Sequence, residues 1–393
     1  MHKLYLFNPD NDLALANNDE NYMSPKSAQL LETDLALLPI WYADPDSYVL
    51  GKSHPNASYL EKMKSIFPIT SSLITFPEVE KLSDFKLSPW GWNKALLKRM
   101  RLLGCKDEAL LSDSEVDNIR TLTHRSTGVK LLQAIPKSTQ LCGFSFVLSH
   151  LDDLKSIASK LGHILLKAPY SGSGKGLKWS KGAVDVATLN WCSRVIDNQE
   201  SVIVEPVYNK VSDFAMEFYI SAEHTIHFVG YSSFNTSING AYIGNNLLSD
   251  DLFEDELNYK YFEHQFMQRT RHVLAPLLLN TVSPHYTGPL GVDMMVCKFE
   301  DEPIFRLHPC VEINLRMNMG LVSHAFYSRY VSPNRKGSYQ IDFSKKTSTL
   351  MNKHAEFEKK YPLVVKNGVI ESGYLALSAL SRESQYLAWT LIE

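Results

Sequence analysis

Within residues 291–320, GVDMMVCKFEDEPIFRLHPCVEINLRMNMG, four side chains stand at spacings that suit phosphate chemistry: Asp293, Glu312, Asn314 and Arg316. Apolar and polar residues alternate through MMVCKF and again through PIFRLHPCVEINLR. The acidic turn FEDEP lies between them, so the segment reads as one β-hairpin. Side chains two apart on a strand share a face, which points Glu312, Asn314 and Arg316 the same way. Asp293 joins them if the hairpin pairs it opposite. Two carboxylates and an amide form a hard oxygen donor set that suits Mg²⁺, with Mn²⁺ as the alternative, rather than zinc. An arginine two residues further on can hold a phosphate or a carboxylate. An edge strand showing its charges to water would carry the same letters. The apolar flanks Met294, Met295, Val296, Val311, Ile313 and Leu315 argue instead for a hairpin built into a core.

A second segment suits a nucleotide. LLKAPYSGSGKGLKW (165–179) reads as a strand, a glycine–serine loop and a returning strand. Backbone N–H groups of Ser171, Gly172, Ser173, Gly174 and Lys175 can form an anion nest, and the glycines let backbone approach phosphate closely. Lys167 at the strand end and Lys175 in the loop supply positive charge. The loop fits neither common template. Pro169 and Gly176 stand where a Walker A loop needs Gly and Ser or Thr, and only Lys175 separates Gly174 from Gly176, where the dinucleotide fingerprint needs two residues. A plain surface hairpin is the competing reading. Downstream, the strand IVEPVY (203–208) offers backbone around Glu205–Val207 to the edge of an adenine, and Asp213 lies where it could reach ribose hydroxyls.

The elements that must position these groups alternate along the chain. HKLYLFNP (2–9) reads as a strand followed by the polar loop NPDNDLALANNDENYMSP, and QLLETDLALL, SYVL and YLEKMKSIF continue a small α/β unit. PWGWNKALLKRMRLLGC reads as a helix capped by Asn93 and ended at Gly104; SDSEVDNIRTLTHR reads as a helix opened by Ser112 or Ser114. LDDLKSIASKLG is an amphipathic helix, HILLKAP (163–169) and SVIVEPVY (201–208) are buried strands, and DFAMEFYIS with TIHFVGYSSF makes an antiparallel pair. SINGAYIGNN (237–246) reads as a loop, ELNYKYFEHQFMQRTRHVLAPLLLN as one long helix, LVSHAFYSRYV as a helix, and SGYLALSAL with SQYLAWTLIE as a closing hairpin.

Bulk composition narrows the function classes. The 393 residues are 44% apolar and 21% charged, an ordinary globular balance with room for two or three domains. A net charge of −3 gives no basic excess of the kind that nucleic-acid binding uses. No run approaches the roughly 18 apolar residues of a membrane span, and the start turns polar by Asn8, too soon for a signal-peptide core. Five scattered cysteines make neither a metal spacing nor a disulfide framework, which points to a reducing cytoplasm. Cys310, close to the proposed site, reads as a small buried hydrophobe. His224, His227, His264, His272, His308 and His324 show no ligand spacing and read as surface or satisfied core residues.

Taken in order, these pieces resemble the ATP-grasp superfamily, which includes D-alanine–D-alanine ligase, biotin carboxylase and glutathione synthetase. The pattern is a lysine before a Gly/Ser loop, a glutamate at an adenine hinge, an acidic ribose contact, then Asp…Glu-x-Asn-x-Arg, over residues 120–325. The resemblance implies an α/β ATP-grasp fold behind an N-terminal α/β domain: residues 1–120, then a lobe with the glycine loop at 121–205, then a lobe with the metal site and closing hairpin at 206–393. It implies that Lys167 contacts the α- and β-phosphates, that Ser171–Gly176 covers the β- and γ-phosphates, that Glu205 and Val207 bind adenine and Asp213 the ribose. Asp293, Glu312 and Asn314 would hold one or two Mg²⁺ ions, and Arg316 would steady the transferring phosphoryl group. Where the family usually carries a further lysine at a helix start before the loop, THRSTGVKLLQAIP offers Arg125, which grips phosphate as a fork rather than a point. Asp293 and Glu312 also lie farther apart along the chain than the family's pair usually does, so a bulge between them would part them.

The activity implied is ligation of a small-molecule carboxylate to an amine with ATP and Mg²⁺ through an acyl-phosphate. A nucleotide-binding regulatory module or a small-molecule kinase is the alternative. No nucleic acid or membrane partner is expected, and a homodimer is compatible with the resemblance. The loops SINGAYIGNN and NPDNDLALANNDEN are candidate substrate walls.

Overall fold

The computed structural model describes residues 2–172, 176–237 and 240–393. Four strands, β1 (His2–Leu6), β2 (Tyr48–Leu50), β3 (Ser72–Ile74) and β4 (Phe85–Pro89), form a parallel sheet in the order β3-β2-β1-β4. A parallel sheet must be covered on both faces. Accordingly Leu4 and Leu6 enter one core with Leu96, Leu97 and Met100, while Tyr5 and Phe7 enter another. That second core also holds Phe326, Tyr330 and Ile392, so the N-terminal sheet is welded to the C-terminal part of the chain. The helix Lys94–Leu102 starts where expected: the Asn93 side chain accepts from the Leu96 N–H at 2.8 Å. Ser112 and Glu115 form a capping box on the helix Asp113–Thr123.

The next sheet is antiparallel, with β5 (Phe146–Leu148), β6 (His163–Lys167), β7 (Leu177–Lys181) and β8 (Val202–Pro206) in the order β5-β8-β6-β7. The helices Leu154–Leu161 and Val186–Gln199 cover it through Leu154, Ala158 and Cys192. Strands β6 and β7 flank the glycine loop, as the sequence suggests.

The largest sheet has nine strands: β9 (Lys210–Ile220), β10 (Ile226–Thr236), β11 (Tyr242–Leu247), β12 (Gly288–Lys298), β13 (Phe305–Asn314), β14 (Gly337–Phe343), β15 (Val364–Lys366), β16 (Val369–Ala376) and β17 (Tyr386–Ile392). Their order is β13-β12-β9-β10-β11-β14-β17-β16-β15. Period-two alternation gives the sheet two unlike faces. Phe214, Met216 and Phe218 of β9 and Leu290, Val292, Met294 and Val296 of β12 pack with Leu274, Leu278 and Val282 of the helix Phe266–Val282. The intervening residues of both strands face the other way.

Three expectations are corrected. NPDNDLALANNDENYMSP is not all loop: Asn11–Asn17 is a helix, started by bonds from the Leu13 and Ala14 N–H groups to the Asp10 carbonyl. SINGAYIGNN is not all loop: Tyr242–Leu247 is a strand hydrogen-bonded between β10 and β14, and this pairing on both sides overrides its glycine and asparagine content. The single helix expected over ELNYKY…LLLN is two, Asp250–Lys260 and Phe266–Val282, because Gln265 takes a left-handed conformation at φ 65° between them.

Candidate functional site

The polar face of β9, β12 and β13 carries three rows of side chains. Register places Asp213, Met295 and His308 in one row, Ala215, Asp293 and Glu312 in the next, and Glu217, Gly291 and Asn314 in the third. Rows two residues apart along a strand are ~7 Å apart. The feared bulge exists, but it falls on the far side of the pair, between Asp293 and Met295 on β12 and around Pro309 on β13, and Asp293 stays directly opposite Glu312. Pro309 has no N–H to give to a ladder, which suits the bulge.

Asp293 and Glu312 are the two facing carboxylates of the middle row. Burial, then the charges of Glu312 and Glu217, push the Asp293 carboxyl well above the usual carboxylate range; Arg316 and a hydrogen bond with Asn314 act in the opposite sense. A cation between the pair would relieve that repulsion. Mg²⁺ characteristically binds one or two carboxylates and completes its shell with phosphate oxygens and water, so this donor set fits it. Among the described residues no group of three His, Cys, Asp or Glu side chains could cage a metal alone. A shell drawn from this set would have to include Asn314, whose amide oxygen accepts from Arg316 at 3.1 Å.

Strand β13 is the edge of its sheet, yet its charges are covered. Arg125, at the start of the helix Ser126–Ala134, reaches Glu312 at 2.8 Å and also donates to the Ser171 hydroxyl at 2.7 Å and the Ser171 carbonyl at 3.0 Å. It thus ties the head of the glycine loop to a carboxylate of the hairpin. Ser171 is buried, and at Gly172 a Cβ would stand 2.5 Å from the Asp12 carboxylate, so a larger residue there would displace Asp12. Ser173, Gly174 and Lys175 lie outside the described residues.

Lys167 and Glu205 form a buried ion pair of 2.6 Å, with side chains 5% and 7% exposed. They come from the neighbouring strands β6 and β8. The Val207 N–H donates to the His163 carbonyl at 2.9 Å, so its carbonyl is the group left free of that bond. Asp213 pairs with Lys210 and accepts from the Thr236 hydroxyl at 2.9 Å.

Three site residues escaped the sequence. Asp12, in the helix Asn11–Asn17, grips Arg316 through bonds of 2.8 and 2.7 Å. It lies inside the NPDNDLALANNDEN segment, but its pairing with a residue 304 positions away leaves no trace in local spacing. Glu217 is 1% exposed, accepts from Ser232 at 2.8 Å and from Asn318 at 2.9 Å, and is pushed up to about 7 by burial. A Cβ at Gly291 would sit 2.6 Å from its carboxylate, so that glycine makes room for it. A lone charge in the apolar strand AMEFYI, two turns of alternation from Asp213, was the available signal. His308 corrects the expectation of a satisfied or surface histidine: it is buried, and among the described residues neither ring nitrogen bonds to another residue.

A narrow cleft of about 10 Å³ opens among Asp12, Ser171, Glu312, Asn314 and Arg316. A larger cleft of about 360 Å³ lies at the carboxyl ends of β1 and β2, among Ser24, Glu32, Lys52 and Arg99. The carboxylates and cations that suit phosphoryl chemistry line the smaller one.

No protein-family model matches the sequence, and no curated protein matches it. Solved structures do resemble the fold. A biotin carboxylase from Campylobacter jejuni in complex with β,γ-ATP aligns over 100% of this chain and 87% of its own, with TM-score 0.53 and 11% identity. The biotin carboxylase domain of Hydrogenobacter thermophilus 2-oxoglutarate carboxylase, in complex with MgADP, ADP and bicarbonate, aligns over 100% and 86% with TM-score 0.51 and 11% identity. An ADP complex of PurK, an N5-carboxyaminoimidazole ribonucleotide synthetase, aligns over 100% and 92% with TM-score 0.50 and 9% identity. The likeness spans the whole chain and extends to the N-terminal sheet.

Proposed function

We propose that this chain, which has the ATP-grasp fold, is an ATP- and Mg²⁺-dependent ligase that joins a small-molecule carboxylate to an amine through an acyl-phosphate. The observation that carries the reading is the row of Asp293 directly opposite Glu312, flanked by Asn314 and Arg316 on one side and by Asp213 on the other. Adenine binding needs none of Asp293, Glu312, Asn314 and Arg316, whereas Mg²⁺-assisted phosphoryl transfer uses groups of these kinds.

In this reading the nucleotide lies along the three rows. Its base sits between β8 and the Asp213 row, near Glu205 and Val207, with Asp213 at the ribose. Lys167 neutralises the α- and β-phosphates, with Glu205 holding its amine in place. The glycine loop would cover the β- and γ-phosphates, with Ser171 at its head anchored through Arg125. Asp293, Glu312 and Asn314 would hold Mg²⁺, which when bound neutralises β- and γ-oxygens. Arg316, oriented by Asp12, faces the transferring phosphoryl group. The substrate carboxylate attacks the γ-phosphorus, ADP leaves, and the amine then displaces phosphate from the acyl carbon. Closure of the glycine loop keeps water from the acyl-phosphate.

The domain division 1–120, 121–205 and 206–393 belongs to the same proposal, as does action in a reducing cytoplasm. All five thiols are free, and among the described residues no helix is long and apolar enough to cross a membrane.

Hydroxylamine trapping tests the reaction. With Mg-ATP and a panel of small carboxylates, a ligase releases ADP and yields a hydroxamate. ADP release with a phosphorylated alcohol and no hydroxamate would make it a kinase, and binding without turnover would make it a regulatory module.

A further inference from the structure

His308 has no part in the phosphate chemistry above, yet it is a costly feature of the site. Its side chain is 1% exposed, and among the described residues neither Nδ1 nor Nε2 makes a hydrogen bond to another residue. Burial, and secondarily the charge of Lys167, hold its pKa down to about 3, so the ring is neutral. A neutral imidazole carries one N–H donor and one lone pair. Native interiors seldom leave both unmet, and a group that does stay unmet calls for a reason.

The surroundings supply one. His308 shares its row with Asp213 and Met295, one row from the facing carboxylates Asp293 and Glu312. The Tyr208 ring, just past the β8 hinge, stands edge-on to it with centroids 5.7 Å apart. On another side is Gly143 at φ 116°, where a Cβ would come within 3.0 Å of the ring. The imidazole thus lies at the meeting point of the β6–β8 sheet and the β12–β13 hairpin, at the end of the polar face away from Arg316. That is the end to which the nucleotide reading assigns the base.

We infer that His308 reads the nucleobase: when the nucleotide enters, its ring pairs with the hydrogen-bonding edge of a purine. This inference rests on the nucleotide reading and adds a specificity residue to it. The side chain is almost fully buried in this structure, so engagement requires one of the groups packed on it, Tyr208 or the backbone at Gly143, to move aside. A heterocycle suits the unmet donor and lone pair because it presents donors and acceptors in one plane. A phosphate presents acceptors only and would leave the lone pair unmet.

The test compares the wild type with His308→Leu, which removes both nitrogens, and His308→Gln, which keeps a donor and an acceptor. Affinities for Mg-ATP and for Mg-tripolyphosphate, which has no base, are measured by calorimetry. The imidazole ¹⁵N signals are followed in parallel. The inference predicts that His308→Leu weakens ATP by roughly tenfold or more and leaves tripolyphosphate unchanged. His308→Gln should recover part of the ATP affinity, and the ¹⁵N signals should move with ATP but not with tripolyphosphate. ATP affinity unchanged in His308→Leu would overturn the role of His308 and leave the nucleotide site standing. Equal loss of both probes in His308→Leu, without rescue by Gln, would make the ring a structural support and also overturn it. A wild type that binds neither probe would overturn the nucleotide reading itself.

Discussion

Asp12 holds Arg316 in a two-pronged grip, Nε to Oδ1 at 2.8 Å and a terminal nitrogen to Oδ2 at 2.7 Å, with both side chains about 15% exposed. The grip joins the short helix after the first strand to the end of the Glu-x-Asn-x-Arg segment. It fixes the plane of the guanidinium, which a single hydrogen bond would not.

Asp12→Asn should therefore act on the orientation of Arg316 more than on nucleotide binding. The expected outcome is a fall in kcat of about 10²-fold, with the affinity for Mg-ATP nearly unchanged. Steady-state kinetics and equilibrium binding check it. A large loss of ATP affinity with normal kcat would assign Asp12 to binding instead.

Lys167 and Glu205 neutralise each other in a site that is nearly dry. Removing one partner strands the other's charge. Glu205→Leu should cost roughly 3–5 kcal/mol in urea unfolding, and adding Lys167→Met should recover much of it. ATP affinity, measured where each variant is folded, should fall in both variants that lack Lys167's charge or its positioning. An additive cost in the double variant would mean that the two side chains do not act as a pair.

Glu217 gives a pH signature. Its carboxyl is raised from an ordinary 4.5 to about 7, chiefly by burial and against hydrogen bonds from Asn318 and Ser232. Between those values the folded protein binds more protons at this residue than the unfolded chain, so stability falls as pH rises through the window and levels off above about 7. Without Mg²⁺, the wild type should lose on the order of 1–3 kcal/mol relative to Glu217→Gln between pH 5 and pH 8. Urea unfolding of both proteins at both pH values measures the difference. A gap that does not change with pH would show that Glu217 stays charged throughout.

The hairpin was legible because local alternation fixes which side chains share a face: Glu312, Asn314 and Arg316 needed only a period of two. The cap at Asn93 was legible because it is a short-range bond that only a few residue types serve, and the helix after it was opened by Ser112, one of the two serines offered for it. Asp12 was not, since its partner lies at the far end of the chain and only the assembled sheets bring them together. Nor was the strand Tyr242–Leu247, whose glycine and asparagine read as loop until β10 and β14 pair with it. His308 looked like any scattered histidine, because unmet hydrogen bonds are a property of burial and not of spacing.

The central claim is a Mg²⁺-dependent nucleotide site on Asp293, Glu312 and Asn314. Its most direct test is thermal and urea unfolding with and without Mg²⁺ and a non-hydrolysable ATP analogue, for the wild type and for Glu312→Gln/Asn314→Ala. At about a hundred times its Kd the analogue should stabilise the wild type by roughly 2.7 kcal/mol, only with Mg²⁺ present, and the variant should show almost none of that gain. An equal gain in both proteins, or none in the wild type at saturating analogue, would contradict it.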